Sequence, residues 1–205
     1  MKLVVSEHAG FCPGVTRADT TIQKLISENK DSKIYTLGHL IHNRIYNSEL
    51  ENKGIGSVSS DEISDIIKNH PNKNHILVIR THGITKEENK KLLLLEKKNK
   101  NFKLVDMTCI YVKKIHKIAD ENTNDKTVFL LFSDPNHPET IGTMSYANGE
   151  KYAFSSLDEL KSIKIGDKTP ILCSQTTQNL KEYKKIKKFL EKLYTNLIFF
   201  DTICD

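Results

Sequence analysis

Apolar positions along the chain alternate between two periods. Short runs rich in β-branched and aromatic residues (LVV, KIYTL, IGSV and ILVIR) are separated by TRADTTIQKLISEN, HNRIYNSELENKG and DEISDIIKNH. In the separating stretches the apolar residues recur at helical spacing. The stretch KEENKKLLLLEKKN then leads to KLVDM, and the plan resumes through TVFLLFS, KYAF and PILCS. Between these strands lie YVKKIHKIADEN, PETIGTMSYAN and LDELKSI, and a last lysine-rich helix leads to NLIFFDT. Strands that alternate with helices predict an α/β fold of small four-stranded, mainly parallel sheets with right-handed crossovers.

The second half repeats the first. Cys12, Cys109 and Cys204 fall 97 and 95 residues apart, and His42 of LGHLIHN and His137 of SDPNHPE are 95 apart. Thr81 after HILVIR and Thr176 after PILCSQ are also 95 apart, and SVSSDEIS matches AFSSLDEL with Ser59 and Ser155 separated by 96. Several matches in one register predict a duplicated unit of about 95 residues. The spacing divides the chain into a first α/β unit at 1–102, a second at 103–195 and, at 196–205, the opening strand of a third. The remainder of that third unit is expected to be missing, with Cys204 on an unanchored terminus.

Composition narrows the class. No apolar run reaches the roughly 18 residues of a membrane span, and MKLVVSEHAGFC is a poor signal peptide, so a cytoplasmic location is expected. Four cysteines in that compartment suggest metal or catalysis before disulfides. The formal charge of +5 comes with lysines interleaved among leucines and glutamates in helical stretches. Solvated helix faces account for that pattern, so neither a nucleic-acid nor a membrane partner is expected.

Cys12, Cys109 and Cys204 each follow a strand, at the edge where ligands gather in a parallel sheet. A helix start stabilises thiolate there. Three convergent thiolates suit a zinc site with a further ligand, an iron–sulfur cluster with one open iron, or three structural cysteines. Cys173, inside a strand and off this register, reads as a core thiol. His42, His82 and His137 follow strands on the same edge, beside turn- or helix-starting residues, and suit an anion such as phosphate. Glu139, in the first turn after His137, complements the helix dipole or delivers protons. Thr176 is an N-cap or a hydrogen-bonding group for substrate and proton.

With GFCPGV, LIHN, THGI, DMTC, HPETIGT, QTT and TIC in this order, the chain resembles the 4-hydroxy-3-methylbut-2-enyl diphosphate reductases, the iron–sulfur family that completes the non-mevalonate isoprenoid pathway. The resemblance implies a trefoil of three α/β units around a 4Fe-4S cluster held by Cys12, Cys109 and Cys204. It implies that His42, His82 and His137 bind the substrate diphosphate, that Thr176 lines the substrate, and that Glu139 is the proton source. The implied reaction is reductive dehydroxylation of an allylic diphosphate to isopentenyl and dimethylallyl diphosphate, with electrons from ferredoxin or flavodoxin. Ile110 replaces the usual proline after the second cysteine, SDPN replaces a glycine-bearing turn before His137, and the family continues for roughly another unit. A second reading is a non-catalytic remnant of this fold that binds anions or zinc.

Overall fold

The computed structural model describes Val4 and residues 10–204. Apart from Val4, the expected first strand at residues 3–5 lies outside the described residues. Two four-stranded sheets are built from parallel neighbours. The first has the order β2 (Gly56–Val58), β1 (Ser32–Leu37), β3 (Asn74–Ile79), β4 (Phe102–Asp106). The second has the order β6 (Glu150–Phe154), β5 (Thr127–Phe132), β7 (Thr169–Ser174), β8 (Ile198–Phe199).

The duplication holds at the level of strand register. Ser32 pairs with Asn74 as Thr127 pairs with Thr169, and Leu77 pairs with Leu104 as Leu172 pairs with Phe199. Each of these positions moves by 95 residues. Leu37 pairs with Val58 whereas Phe132 pairs with Phe154, so one residue has been inserted before β6. That insertion explains why the two serine phrases are offset by 96. Gly54 and Gly149 occupy the same left-handed turn in the two copies, at φ 83° and 71°. A Cβ on Gly149 would meet the Asn124 carbonyl oxygen at 2.7 Å, so the turn requires glycine twice over.

The spacing puts β4 and β8 at the start of a second and a third unit. In the structure they are the outer strands of the sheets that precede them, bonded to β3 and β7. A repeat boundary read from sequence marks where similarity restarts, whereas sheet membership follows backbone pairing. By contacts the chain divides into one unit of Met1–Thr81 with Glu96–Cys109 and another of His82–Leu95 with Ile110–Asp205.

Each unit has its own core. In the first, α1 (Pro13–Glu28) buries Ala18, Ile22 and Leu25, one face at helical spacing. They join Ile34, Ile76 and Val78 of the sheet, and Tyr46 and Leu50 of α2 (Arg44–Asn52). The helix α3 (Ser60–Asn69) starts with a capping box between Ser59 and Glu62. In the second unit every residue of β5 is buried. Val128, Leu130 and Phe132 enter one cluster with Tyr183, Ile186 and Leu190 of α8 (Leu180–Leu193). Phe129 and Leu131 enter another with Ile115, Ile118 and Ala119 of α5 (Ile110–Asn122). Alternation along a strand covered on both faces turns a continuous apolar run into two cores, each large side chain contributing ~2 kcal/mol.

Most lysines of α8 point away from its buried face, whereas Lys187 flanks it with its ammonium over the Phe199 ring; Lys185 and Lys187 pair with Glu182 and Glu191. Between α4 (Lys86–Lys98) and β4, Glu96 accepts the Leu104 N–H at 2.7 Å, fixing the entry to the outer strand. Among the described residues no helix is long and apolar enough to cross a membrane.

Candidate functional site

Apart from Cys173, which lies inside β7, the residues singled out from the sequence follow strands or stand at helix starts. In the second unit, α6 (Pro138–Tyr146) begins with Pro at its first position and His137 as N-cap. The His137 Nδ1 accepts the Glu139 N–H at 3.1 Å. This bond commits the Nδ1 lone pair, so the neutral ring carries its proton on Nε2, a donor suited to an anion.

Glu139 is only 3% exposed. Its Oε1 accepts the Thr176 backbone N–H at 2.7 Å and its Oε2 accepts the Thr176 hydroxyl at 2.8 Å. Burial pushes the carboxyl above its usual range, and the two Thr176 bonds oppose that rise in part. The result is a protein-enclosed acid with a hydroxyl on one of its oxygens.

His82 stands next to His137, with ring centres 5.4 Å apart and planes at 79°. The segment that carries His82 is docked on α6. A Cβ on Gly142 would lie 3.3 Å from the Ile84 carbonyl oxygen, so the approach needs a small residue. The Ser145 hydroxyl accepts the Lys86 N–H at 2.8 Å, and Lys86 forms an ion pair with Asp120 of α5. Gly83, at φ 76°, allows the turn between His82 and this anchor.

Gln175, the first residue of QTT, has no role assigned from the sequence. Its Oε1 accepts the Asp134 N–H at 3.1 Å and its Nε2 donates to Thr177 Oγ1 at 3.2 Å. Asp134 in turn accepts the Asn136 N–H on Oδ1 and the His137 N–H on its carbonyl. One buried amide therefore ties the loop before Glu139 to the loop that carries Thr176. The SDPN turn is an Asp-capped turn without glycine.

Cys204 is anchored, contrary to the expectation of a loose terminus. Its N–H donates to the Thr176 carbonyl at 2.8 Å. Two residues earlier, Thr202 Oγ1 accepts the Ser174 N–H and donates to the Ser174 carbonyl, both at 2.8 Å. These bonds extend the pairing beyond β8. In the first unit the Cys109 N–H donates to the Thr81 carbonyl at 2.9 Å, the same bond 95 residues earlier.

Cys12 is the N-cap of α1, and Cys109 immediately precedes α5. A Cβ on Gly14 would lie 3.0 Å from Cys109 Sγ and 3.9 Å from Cys12 Sγ. Both sulfurs therefore border the space that glycine leaves open. His42, also in the first unit, is exposed and precedes Asn43, the N-cap of α2. Cys173 is fully buried, and burial drives its thiol pKa up, as suits a core residue.

The family model described as LytB protein matches residues 3–205. A protein of Fusobacterium nucleatum named 4-hydroxy-3-methylbut-2-enyl diphosphate reductase is 37% identical over 208 residues, covering all of this chain and 24% of that protein. One of the same name from Caldanaerobacter subterraneus is 33% identical, covering all of this chain and 67% of that one. A solved structure described as (E)-4-hydroxy-3-methyl-but-2-enyl diphosphate reductase, the terminal enzyme of the non-mevalonate pathway, superposes with a TM-score of 0.73 at 30% identity. It spans 98% of this chain and 68% of that one. The fold is also that of the Plasmodium falciparum reductase, with a TM-score of 0.76 at 24% identity over 97% of this chain and 59% of that one. This chain therefore spans about a quarter of the Fusobacterium protein and about two thirds of the Caldanaerobacter protein. The chain belongs to the LytB protein family.

Proposed function

We propose that this protein acts in the reductive dehydroxylation of (E)-4-hydroxy-3-methylbut-2-enyl diphosphate, giving isopentenyl and dimethylallyl diphosphate. Two electrons and two protons enter, the allylic C–O bond breaks, and the oxygen leaves as water. The observation that carries this reading is the buried Glu139 carboxylate held by both donors of Thr176. A carboxyl whose pKa is raised by burial retains a proton toward neutrality, as a general acid must.

The geometry of this pair supports a relay. The Thr176 N–H holds Oε1 as an acceptor, which leaves Oε2 to carry the proton. When Glu139 is ionised, the Thr176 hydroxyl donates to it. When Glu139 is protonated, Oε2–H donates to the hydroxyl oxygen, and the hydroxyl hydrogen turns toward the substrate. One proton thus moves from carboxyl to leaving group through Thr176 without movement of the backbone.

In this reading His82 and His137 bind the diphosphate, His137 through Nε2–H, and His42 joins them. Cys12, Cys109 and Cys204 are the ligands of a 4Fe-4S cluster, and the two sulfurs bordering Gly14 fit such a group. When bound, the cluster supplies electrons and a Lewis-acidic iron for the substrate oxygen. A ferredoxin or flavodoxin is the proposed electron donor. Docking Ile84 against Gly142 and Lys86 on Ser145 keeps His82 beside His137, so the anion meets a preformed pair.

The test is turnover by anaerobically reconstituted protein with reduced viologen and the allylic diphosphate, the two products being measured by mass spectrometry. Turnover in the unaltered protein, lost in Glu139→Gln at equal iron content, supports the proposal. Tight pyrophosphate binding without turnover favours the non-catalytic remnant instead.

A further inference from the structure

The helix α1 carries Cys12 at its N-cap and, a little more than one turn later, Arg17. The Arg17 Nη2 donates to the Met107 carbonyl at 3.0 Å and to the Thr108 carbonyl at 2.7 Å. These are the two peptide carbonyls that immediately precede Cys109. Met107 and Thr108 are buried, at 7% and 4% exposure, so water is a poor substitute for the guanidinium.

The rest of this segment is fixed from other sides. The Thr108 N–H donates to Asp106 Oδ1 at 2.9 Å, and the Cys109 N–H donates to the Thr81 carbonyl at 2.9 Å. At the other end of the link, Ala18, Ile22 and Leu25 bury the inner face of α1. One side chain therefore joins the helix that caps with Cys12 to the loop that ends in Cys109. Both of its hydrogen bonds to this loop go to neutral carbonyls, so the guanidinium brings its positive charge to the backbone that leads directly into Cys109.

We propose that Arg17 is a positioning residue that sets the separation of the Cys12 and Cys109 sulfurs and supplies positive charge to the anionic iron–sulfur group between them. This rests on the cluster reading above. The planar guanidinium reaches two carbonyls and carries a positive charge, which neither methionine nor glutamine does. Residues one step removed from metal ligands typically change metal affinity 10- to 100-fold when lost.

The experiment compares the unaltered protein with Arg17→Met and Arg17→Lys after anaerobic loading with ferrous iron and sulfide. It measures bound iron and sulfide, the rate of iron transfer to a chelator, the midpoint potential, and thermal unfolding before loading. Arg17→Met is expected to lose iron at least about tenfold faster and to shift to a more negative potential. Arg17→Lys, which keeps the charge, is expected to lose iron at an intermediate rate with a potential near that of the unaltered protein. Equal release rates in all three proteins overturn the proposal, and so does faster release with an unchanged potential in Arg17→Met. If Arg17→Met does not fold, Arg17→Lys decides alone, and release at the unaltered rate overturns the proposal. An unaltered protein that takes up no iron and sulfide overturns the cluster reading itself, and the role of Arg17 with it.

Discussion

Thr176 bonds the Glu139 carboxylate with both of its donors, at 2.7 Å from the backbone and 2.8 Å from the hydroxyl. The two residues are 37 positions apart and come from different strand–helix junctions, α6 after β5 and the turn after β7. The bonds that satisfy the buried carboxylate also place a hydroxyl directly against it.

Removing the hydroxyl alone separates these roles. Thr176→Val keeps shape and backbone N–H but takes one of two donors from the carboxylate. Both Thr176 bonds hold the Glu139 pKa down against burial, so the variant's Glu139 rises further. A carboxyl carbon resonance followed by NMR titration should show its midpoint moving to higher pH. Where the carboxylate is ionised, stability should fall by about 2 kcal/mol, the value of a hydrogen bond to a charged group. A midpoint that stays or falls contradicts the assignment of this pair.

The raised pKa also has a direction in stability. The folded-state carboxyl lies above its unfolded value, so burial costs nothing below the unfolded pKa. The cost grows as pH rises from there to the folded pKa and is constant beyond. Glu139→Gln removes the charge and keeps an oxygen for the Thr176 N–H. Its melting temperature should match the unaltered protein in acid and exceed it increasingly toward neutrality. Equal melting curves at every pH would show that Glu139 is not ionised at a cost.

How much of this was legible in the sequence differs by residue. The equivalence of the two sheets was legible, because strand pairs Ser32–Asn74 and Thr127–Thr169 repeat the 95-residue offset already visible in Thr81 and Thr176. The closeness of His137 and Glu139 was legible from HPE, since an N-cap and the first helical turn are neighbours. Sheet membership of β4 and β8 was not, because hydrogen-bonding partners leave no spacing signal. The anchoring of Cys204 depends on Thr202 bonding both backbone groups of Ser174, and a threonine outside a periodic run gives no warning of that. Gln175 looked like one polar residue of a turn, and Arg17 like one cation among many.

The cap beside His42 gives a third test. Asn43 Oδ1 accepts the Tyr46 N–H at 3.1 Å, and the Tyr46 hydroxyl donates to Asp19 Oδ1 at 2.8 Å, which ties the start of α2 to α1. Asn43→Ala should lower unfolding free energy in denaturant by about 1 kcal/mol, and Asn43→Asp should leave it nearly unchanged. Because His42 adjoins the cap, the alanine variant should also bind pyrophosphate more weakly, as titration calorimetry would reveal. Unchanged affinity would remove His42 from the proposed anion site.

Gly14 gives the sharpest separation of folding from function. It lies at the second position of α1, where alanine is a better helix former and the backbone φ needs no glycine. Its added methyl would stand 3.0 Å from Cys109 Sγ and 3.9 Å from Cys12 Sγ. Without iron, the Cys109 side chain turns aside at small cost, so Gly14→Ala should melt at or slightly above the unaltered temperature. With iron, both sulfurs are needed on the same side and the methyl occupies that space. Iron and sulfide bound per chain after reconstitution should therefore fall sharply while the fold is kept. Full loading of the alanine variant would mean that the space beside Gly14 is not where Cys12 and Cys109 direct their sulfurs when they bind metal.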